Sequence, residues 1–365
     1  MYISHLSAQG FRNLSVEDIE LAQGINILHG DNAQGKTNFL EAIYFCAFIR
    51  SLRGASDKEL VNFNASSAKI RALLVRGGSP QVIDAYIEKS GARVTKSISI
   101  DRVPVRHMKD LFGRLLVVIF TPEDLRLIKS GPSERRRFMD MEICQISNVY
   151  YGDLREYHRV LKQRNALLKI LQKDKSNEDS LDIWDEQLQR YGVRIIKTRA
   201  AFIERLSSIS GEIHSNITQG NGSETLEIIY SPNITEPENY LRELQRWRKR
   251  DIMQGATSCG IHKDDLTFII NGIPARNFGS QGQQRTAALS AKLAEIEIIK
   301  QSTGDVPVLL LDDVFSELDA GRQKFLLSQI QDLQTLITCT GVDKVLEFGR
   351  CLCVEDGHVK RVIML

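Results

Sequence analysis

Eight residues, Gly30-Asp31-Asn32-Ala33-Gln34-Gly35-Lys36-Thr37, carry the clearest chemistry in this 365-residue chain. They have the form G-x-x-x-x-G-K-T, the phosphate-cradling P-loop or Walker A motif. The glycines let backbone N–H groups close on anionic oxygens with no Cβ in the way. Those N–H groups form an anion-binding concavity, and a following helix points its positive end at it. Lys36 supplies a mobile cation for β- and γ-phosphates, and the Thr37 hydroxyl is a hard oxygen ligand for Mg2+. A second constellation lies far along the chain. Val306 to Asp313, VPVLLLDD, reads as an apolar strand ending in two carboxylates, the Walker B pattern. Asp312 is expected beside the P-loop, holding the Mg2+ of Thr37 directly or through water. Asp313 is then placed to orient or deprotonate an attacking water.

The flanking elements fit this chemistry. Ile25 to Leu28 is a short apolar strand, and Leu40, Ile43, Tyr44 and Ala47 repeat at helical spacing after the loop. Residues 1–29 read as two strands with Phe11-Arg12-Asn13 between them. Residues 67–105 alternate apolar and polar, which predicts an antiparallel meander. Leu115 to Phe120 reads as a buried strand. After Pro122 the character turns helical. Leu154, Tyr157, Leu161, Leu168 and Leu171 form one seam, interrupted by Arg164, and Leu181, Trp184, Leu188, Tyr191, Ile195 and Phe202 form another. With the polar stretch Asp174 to Ser180 between, they predict an antiparallel hairpin with legs of about 30 Å. It is either a short coiled-coil arm or ordinary helix packing. A strand at 225–230 and a helix from Thr235 to Arg250 follow, the helix opened by a Thr235-x-x-Glu238 capping box. Ser280 with Gln283 has the form of another capping box, opening a helix to Lys300. Leu336 to Thr340 and Cys351 to Glu355 are the last strands.

Composition narrows the class. Net charge is +2 with 42% hydrophobic residues, so the chain can build a large core and any basic surface must be local. Two local clusters stand out. Arg135, Arg136 and Arg137 are either a solvated helix face or phosphate contacts. Arg246, Arg248, Lys249 and Arg250 surround Trp247, a mixture that suits nucleic acid and equally suits a helix C-terminus. Six scattered cysteines without a C-x-x-C pair argue for a reducing compartment and against a zinc site. No signal-peptide pattern and no apolar run of about 18 residues is present, so a cytoplasmic protein without a membrane partner is expected.

Walker A early, Walker B late, and Ser280-Gln281-Gly282-Gln283-Gln284-Arg285 between them resemble the ABC-type ATPases, SMC proteins among them. Within that class the chain is most similar to the RecF family of bacterial recombination mediators. The matching stretches are FRNL from Phe11, GDNAQGKTNFLEAIY from Gly30, FTPEDL from Phe120, RRRFMD from Arg135, GSQGQQRTAALSAKLAE from Gly279 and LLLDDVFSELD from Leu309. Ile261 stands where that pattern usually has Pro, and Thr338 or Thr340 stands where transporter ATPases carry a switch His.

The resemblance implies an α/β fold, an ABC-type ATPase head. Its P-loop lobe would span 1–120 and 301–365, and its mainly helical lobe 121–300, with the short hairpin and the signature motif. It implies that ATP and Mg2+ are bound by Gly30 to Asn38, with Arg12 and Asn13 nearby and Thr37 and Asp312 on the metal. Lys36 and Asp313 would serve catalysis. Ser280, Gly282 and Gln283 would contact the γ-phosphate held by a second subunit, and Ser316 and Asp319 would sit in the loop that crosses the dimer interface. It further implies a weak DNA-stimulated ATPase and an ATP-dependent homodimer on double-stranded or gapped DNA, helping RecR load RecA. The rival expectation is an SMC-like structural DNA clamp without a loading role.

Overall fold

Strict alternation in one part of the chain and unbroken apolar runs in another produce two kinds of sheet. A computed structural model describes residues 1–91, 93–174, 178–218, 224–340 and 349–361. Contacts divide the chain into two units, Met1–Pro122 with Ile299–Leu365, and Glu123–Ile298.

In the first unit, β1 (Tyr2–Phe11), β2 (Leu14–Glu20), β4 (Ser67–Arg76), β5 (Ser79–Ser90), β6 (Arg93–Ile100) and β7 (Val103–Pro104) form an antiparallel sheet ordered β2-β1-β4-β5-β6-β7. Along β4, Ala68, Ile70, Ala72 and Leu74 are buried while Lys69 and Arg71 face out, the period-two pattern of a half-covered sheet. The second sheet, β15-β14-β3-β13-β12-β8, is parallel except at one edge. It contains β3 (Ile25–His29), β8 (Val117–Phe120), β12 (Val308–Asp312), β13 (Thr335–Cys339), β14 (Arg350–Glu355) and β15 (His358–Arg361). Here the strands are buried on both faces, so β12 and β13 read as continuous apolar runs. Helix α1 (Lys36–Phe48) touches strands of both sheets and is buried all round, hence its lack of an amphipathic stripe. Short α2 (Asp57–Leu60) and later α10 (Ala320–Gln329) complete the unit.

The sequence reading of two strands before the P-loop is corrected to three. Leu14–Glu20 is a strand in its own right, folded back on β1 through Arg12 and Asn13. Its alternation was masked by the run of charged residues at Glu17, Asp18 and Glu20.

The second unit is built on α5 (Asn148–Leu171) and α6 (Leu181–Thr218), preceded by α3 (Arg126–Lys129) and α4 (Pro132–Ile146). The pair is antiparallel: Arg164 bonds Asp185, and Tyr150, fourteen residues earlier, receives a bond from Arg199, fourteen residues later. Lengths of 24 and 38 residues correspond to about 36 and 57 Å. Helix α7 (Tyr240–Gln254) packs on both, so ordinary helix packing is what the seam encodes. Arg164 does not interrupt it. The side chain is fully buried, holding Asp185 at 2.6 Å, Asp251 at 2.7 Å and Thr257 at 2.9 Å, and it ties three helices together. The expected polar loop 174–180 lies partly outside the described residues. The helix expected from Thr235 begins instead at Tyr240, after a single 3-10 turn at Pro237–Asn239, and ends on left-handed Gly255. Strands β9 (Leu226–Ser231), β10 (Asp265–Ile270) and β11 (Ile273–Pro274) form a small antiparallel sheet, and α8 (Ala275–Phe278) and α9 (Gln281–Thr303) follow.

A buried charge cluster holds α9 to its surroundings. Lys292 lies 3.3 Å from Glu295 and 3.6 Å from Asp124, with its ammonium over the Phe138 ring, and Glu142 is close by. Burial pushes the Glu142 carboxyl up to about 7 against the pull of Lys292. The native state therefore binds a proton more tightly than the unfolded chain does. Stability from this group is full below the ordinary carboxylate pKa and is lost as pH rises through 7. The expected result is a melting temperature that falls between pH 5 and pH 8, and a Glu142→Gln variant in which that fall is reduced. Thermal melts across pH check this, and an unchanged pH slope in the variant would refute it.

Candidate nucleotide site

The P-loop sits at the C-terminal end of β3, between β14 and β13. Gly30 has φ 154°, and a Cβ there would lie 2.2 Å from the Val354 carbonyl oxygen, so only glycine lets β14 pass. Gln34 is gripped from two sides. Its carbonyl accepts bonds from Asn13 Nδ2 at 3.2 Å and Gly357 N at 2.9 Å, and its side-chain oxygen accepts one from Asp356 N at 2.6 Å. Asn13 Oδ1 also accepts from Asn38 Nδ2 at 2.8 Å. The β1–β2 turn and the β14–β15 turn thus fix the loop.

Lys36 is almost buried, and its ammonium donates to the carbonyls of Gly30 at 2.7 Å and Asp31 at 2.8 Å. Those oxygens stand in for anionic ligand oxygens. The strand order explains the rest. Strand β13 lies between β3 and β12, and Thr338 is in register with both Leu28 and Asp312. Thr37 Oγ1 and Thr338 Oγ1 each donate to Asp312 Oδ1 at 2.8 Å, and Asp313 N donates to Thr338 Oγ1 at 2.8 Å. Walker A, Walker B and β13 therefore converge on one carboxylate oxygen. Asp313 follows in a left-handed conformation, φ 51°, with its side chain exposed.

These groups border a cavity of about 250 Å³, below the roughly 300 Å³ at which whole-ligand pockets begin. The space suits the polyphosphate end of a nucleotide. Asn32, Ala33, Gly35, Lys36, Thr37 and Asn38 line it with Asp312 and Asp313. Gly30, Asp31 and Gln34 belong to the same loop and are not among the lining residues. The donor set fits a hard cation: one hydroxyl and one carboxylate already within hydrogen-bonding distance, on rigid elements. Lys36 also pushes the neighbouring His29 imidazole down, as a second cause after burial.

Three lining residues, Arg53, Thr338 and Thr340, lie outside the two motifs. Arg53 bonds Asn38 and the buried Glu41. Burial raises the Glu41 carboxyl, but bonds from Arg12, Ser51 and Arg53 outweigh it and hold the group below its usual range. Arg12 shares Glu41 with the cavity-lining Arg53. Its guanidinium is spent on Glu41 at 2.9 and 3.2 Å and on the Glu59 carbonyl, and it does not line the cavity. Asn13 bonds the loop at Gln34 and Asn38 and is not among the residues that line the cavity.

In the second unit, Ser280 N donates to Gln283 Oε1 at 2.8 Å and Gln283 N donates to Ser280 Oγ at 3.2 Å, a complete capping box at the start of α9. The Gly282 carbonyl accepts from Thr286 Oγ1 at 2.9 Å. Ser316 Oγ donates to the Asp313 carbonyl at 2.8 Å, and Asp319 caps α10 through Arg322 N at 3.0 Å. That backbone bond is the chief cause holding the Asp319 carboxyl low.

Of the basic candidates, Arg135 is withdrawn from the surface. It is 3% exposed and clasps Asp265 at 2.6 and 2.8 Å. Arg248 is half-buried and bound to Asp185 and Asp182. Arg136 reaches the Asp264 carbonyl at 2.8 Å, and Arg137 is half-buried. Arg246, Lys249 and Arg250 are exposed, Arg250 lying over Trp247. Among the described residues no helix is long and apolar enough to cross a membrane.

A P-loop helix between two sheets, with Walker A and Walker B joined across one strand, defines the head of an ABC-type ATPase. The match to the RecF/RecN/SMC N terminal domain family runs over residues 2–352. An SMC head domain from Pyrococcus furiosus superposes with a TM-score of 0.57 at 17% identity, covering 99% of this chain and 96% of that one, a likeness of fold. A solved structure of the recombination mediator protein RecF-ATP in the RecFOR pathway superposes with a TM-score of 0.92 at 36% identity, covering 99% of this chain and 98% of that one. The DNA replication and repair protein RecF of Lachnospira eligens is 44% identical over 98% of this chain and 99% of its own length. That of Lachnoclostridium phytofermentans is 45% identical over 99% and 100%. The chain belongs to the RecF family.

Proposed function

We propose that this chain is an ATP-binding DNA replication and repair protein, cytoplasmic, in which ATP drives two copies together on double-stranded or gapped DNA. The observation that carries the reading is the convergence of Thr37 and Thr338 on Asp312 beside Lys36. In this reading Lys36 leaves its two carbonyls to hold β- and γ-phosphate oxygens. Thr37 and Asp312 would hold Mg2+, which when bound neutralises phosphate charge. Asp313, exposed next to them, orients or deprotonates water. Ser280 of a second copy, at the positive end of α9, completes the site. Hydrolysis is slow and resets the dimer. Support for the DNA role comes from the RecF relatives and from the exposed cations Arg246, Lys249 and Arg250. Cooperation with RecR in loading RecA rests on the family alone.

The test is sedimentation with and without ATP and gapped duplex. Association should require ATP, and DNA affinity should fall steeply with salt. Equal binding with ADP and ATP would defeat the switch. Asp313→Asn supplies a second expected result: nucleotide affinity within about twofold of wild type, because Asp312 and Lys36 remain, and turnover lowered roughly a hundredfold. Turnover near wild type would remove Asp313 from the water-activating role.

A further inference from the structure

Gln283 is expected from sequence to reach a nucleotide, yet both ends of its side chain are engaged within its own subunit. Its Oε1 accepts from Ser280 N, and its Nε2 donates to Glu224 Oε1 at 2.8 Å. Glu224 also stands beside a buried histidine. Its other oxygen lies 3.4 Å from Nε2 of His214, which is fully buried on α6 and whose Nδ1 is 3.4 Å from Ser290 Oγ on α9. Ser280 Oγ, meanwhile, acts as acceptor toward Gln283 N. That leaves its O–H proton to be donated outward, which is what an anionic oxygen requires.

We propose that Glu224 is a positioning residue for Ser280. It holds the Gln283 amide, and the amide fixes the backbone N–H and hydroxyl of Ser280. Gln283 is then a support of the signature element and makes no phosphate contact of its own. The carboxylate matters because it accepts from Nε2 and so selects the amide orientation that turns Oε1 toward Ser280 N. An amide flipped the other way would set an NH2 against that N–H. This inference rests on the reading that Ser280 completes the site of a second copy.

The test compares Glu224→Ala, Glu224→Gln, Gln283→Ala and Ser280→Arg in the full chain, measuring nucleotide affinity, KM and kcat for ATP hydrolysis, and melting temperature. Glu224→Ala should lower kcat at least tenfold with nucleotide affinity within twofold, because the P-loop is untouched. Glu224→Gln retains an acceptor for Gln283 and should recover to within threefold of wild type. Adding Glu224→Ala to Gln283→Ala should change kcat by less than twofold, since the support is already gone. Wild-type kcat in Glu224→Ala, a Gln variant as impaired as the Ala variant, or multiplicative effects in the double variant would each overturn the inference. If Ser280→Arg abolishes hydrolysis while Glu224→Ala does not affect it, the support falls and the two-copy site stands. If Ser280→Arg hydrolyses ATP normally, both fall.

Discussion

Replacing Lys36 by alanine should weaken nucleotide binding by roughly a hundredfold, the scale of one buried charge-assisted hydrogen-bond pair. In the present conformation the ammonium bridges the Gly30 and Asp31 carbonyls. In the proposed reading it exchanges those neutral partners for phosphate oxygens, and the gain in binding would come from charge. Alanine removes the gain and leaves two loop carbonyls without their donor. A modest loss of stability, about 1 kcal/mol, should accompany the loss of affinity. The remaining grips on the loop, Asn13 and the Asp356-Gly357 turn on Gln34, should keep the backbone folded. Titration with a fluorescent nucleotide, alongside a thermal melt, checks both. Affinity unchanged within twofold would sink the P-loop assignment whatever the melt shows.

Local chemistry was legible in the sequence where residue type and spacing act within one turn or one strand end. Gly30, Gly35, Lys36 and Thr37 work as a single loop, and Asp312 ends a strand that any parallel sheet would bury. What joins them was harder to read. Thr338 lies 26 residues after Asp312, and only the strand order places it between Walker A and Walker B. Arg53 reaches the cavity through Glu41, a buried carboxylate inside an apolar helix that also engages Arg12. A glutamate among the apolar residues of the P-loop helix was a sequence signal that a cation would pair there, and it is fully buried. Arg135 and Arg248 were hard to read for the opposite reason. Their partners, Asp265 and Asp185, are 130 and 63 residues away, so in one dimension only solvent, phosphate or the helix dipole offered themselves as partners. Thr235 and Glu238 matched a capping box in letters, but Pro237 intervened and the helix waited until Tyr240.

Ser280→Arg should leave nucleotide binding by the single chain intact and abolish ATP-dependent association, with hydrolysis reduced roughly a thousandfold. Two roles for Ser280 are separable by this variant. The capping role is visible: reciprocal bonds with Gln283 at the first turn of α9. Losing it should cost about 1 kcal/mol and shift the melt by a few degrees. If capping were the whole role, ATP chemistry would survive. If Ser280 instead completes a second copy's site, the bulky side chain obstructs the approach of that copy. Walker A remains complete in each chain, so affinity for nucleotide should hold. Mixing then gives a directional result. A Lys36→Ala chain with intact Ser280, combined with a Ser280→Arg chain, assembles at most one complete site, in which the intact Ser280 faces the intact Lys36. Sedimentation with ATP reads the association, and a melt reads the cap. A variant that melts near wild type, binds ATP and still associates would confine Ser280 to its own helix.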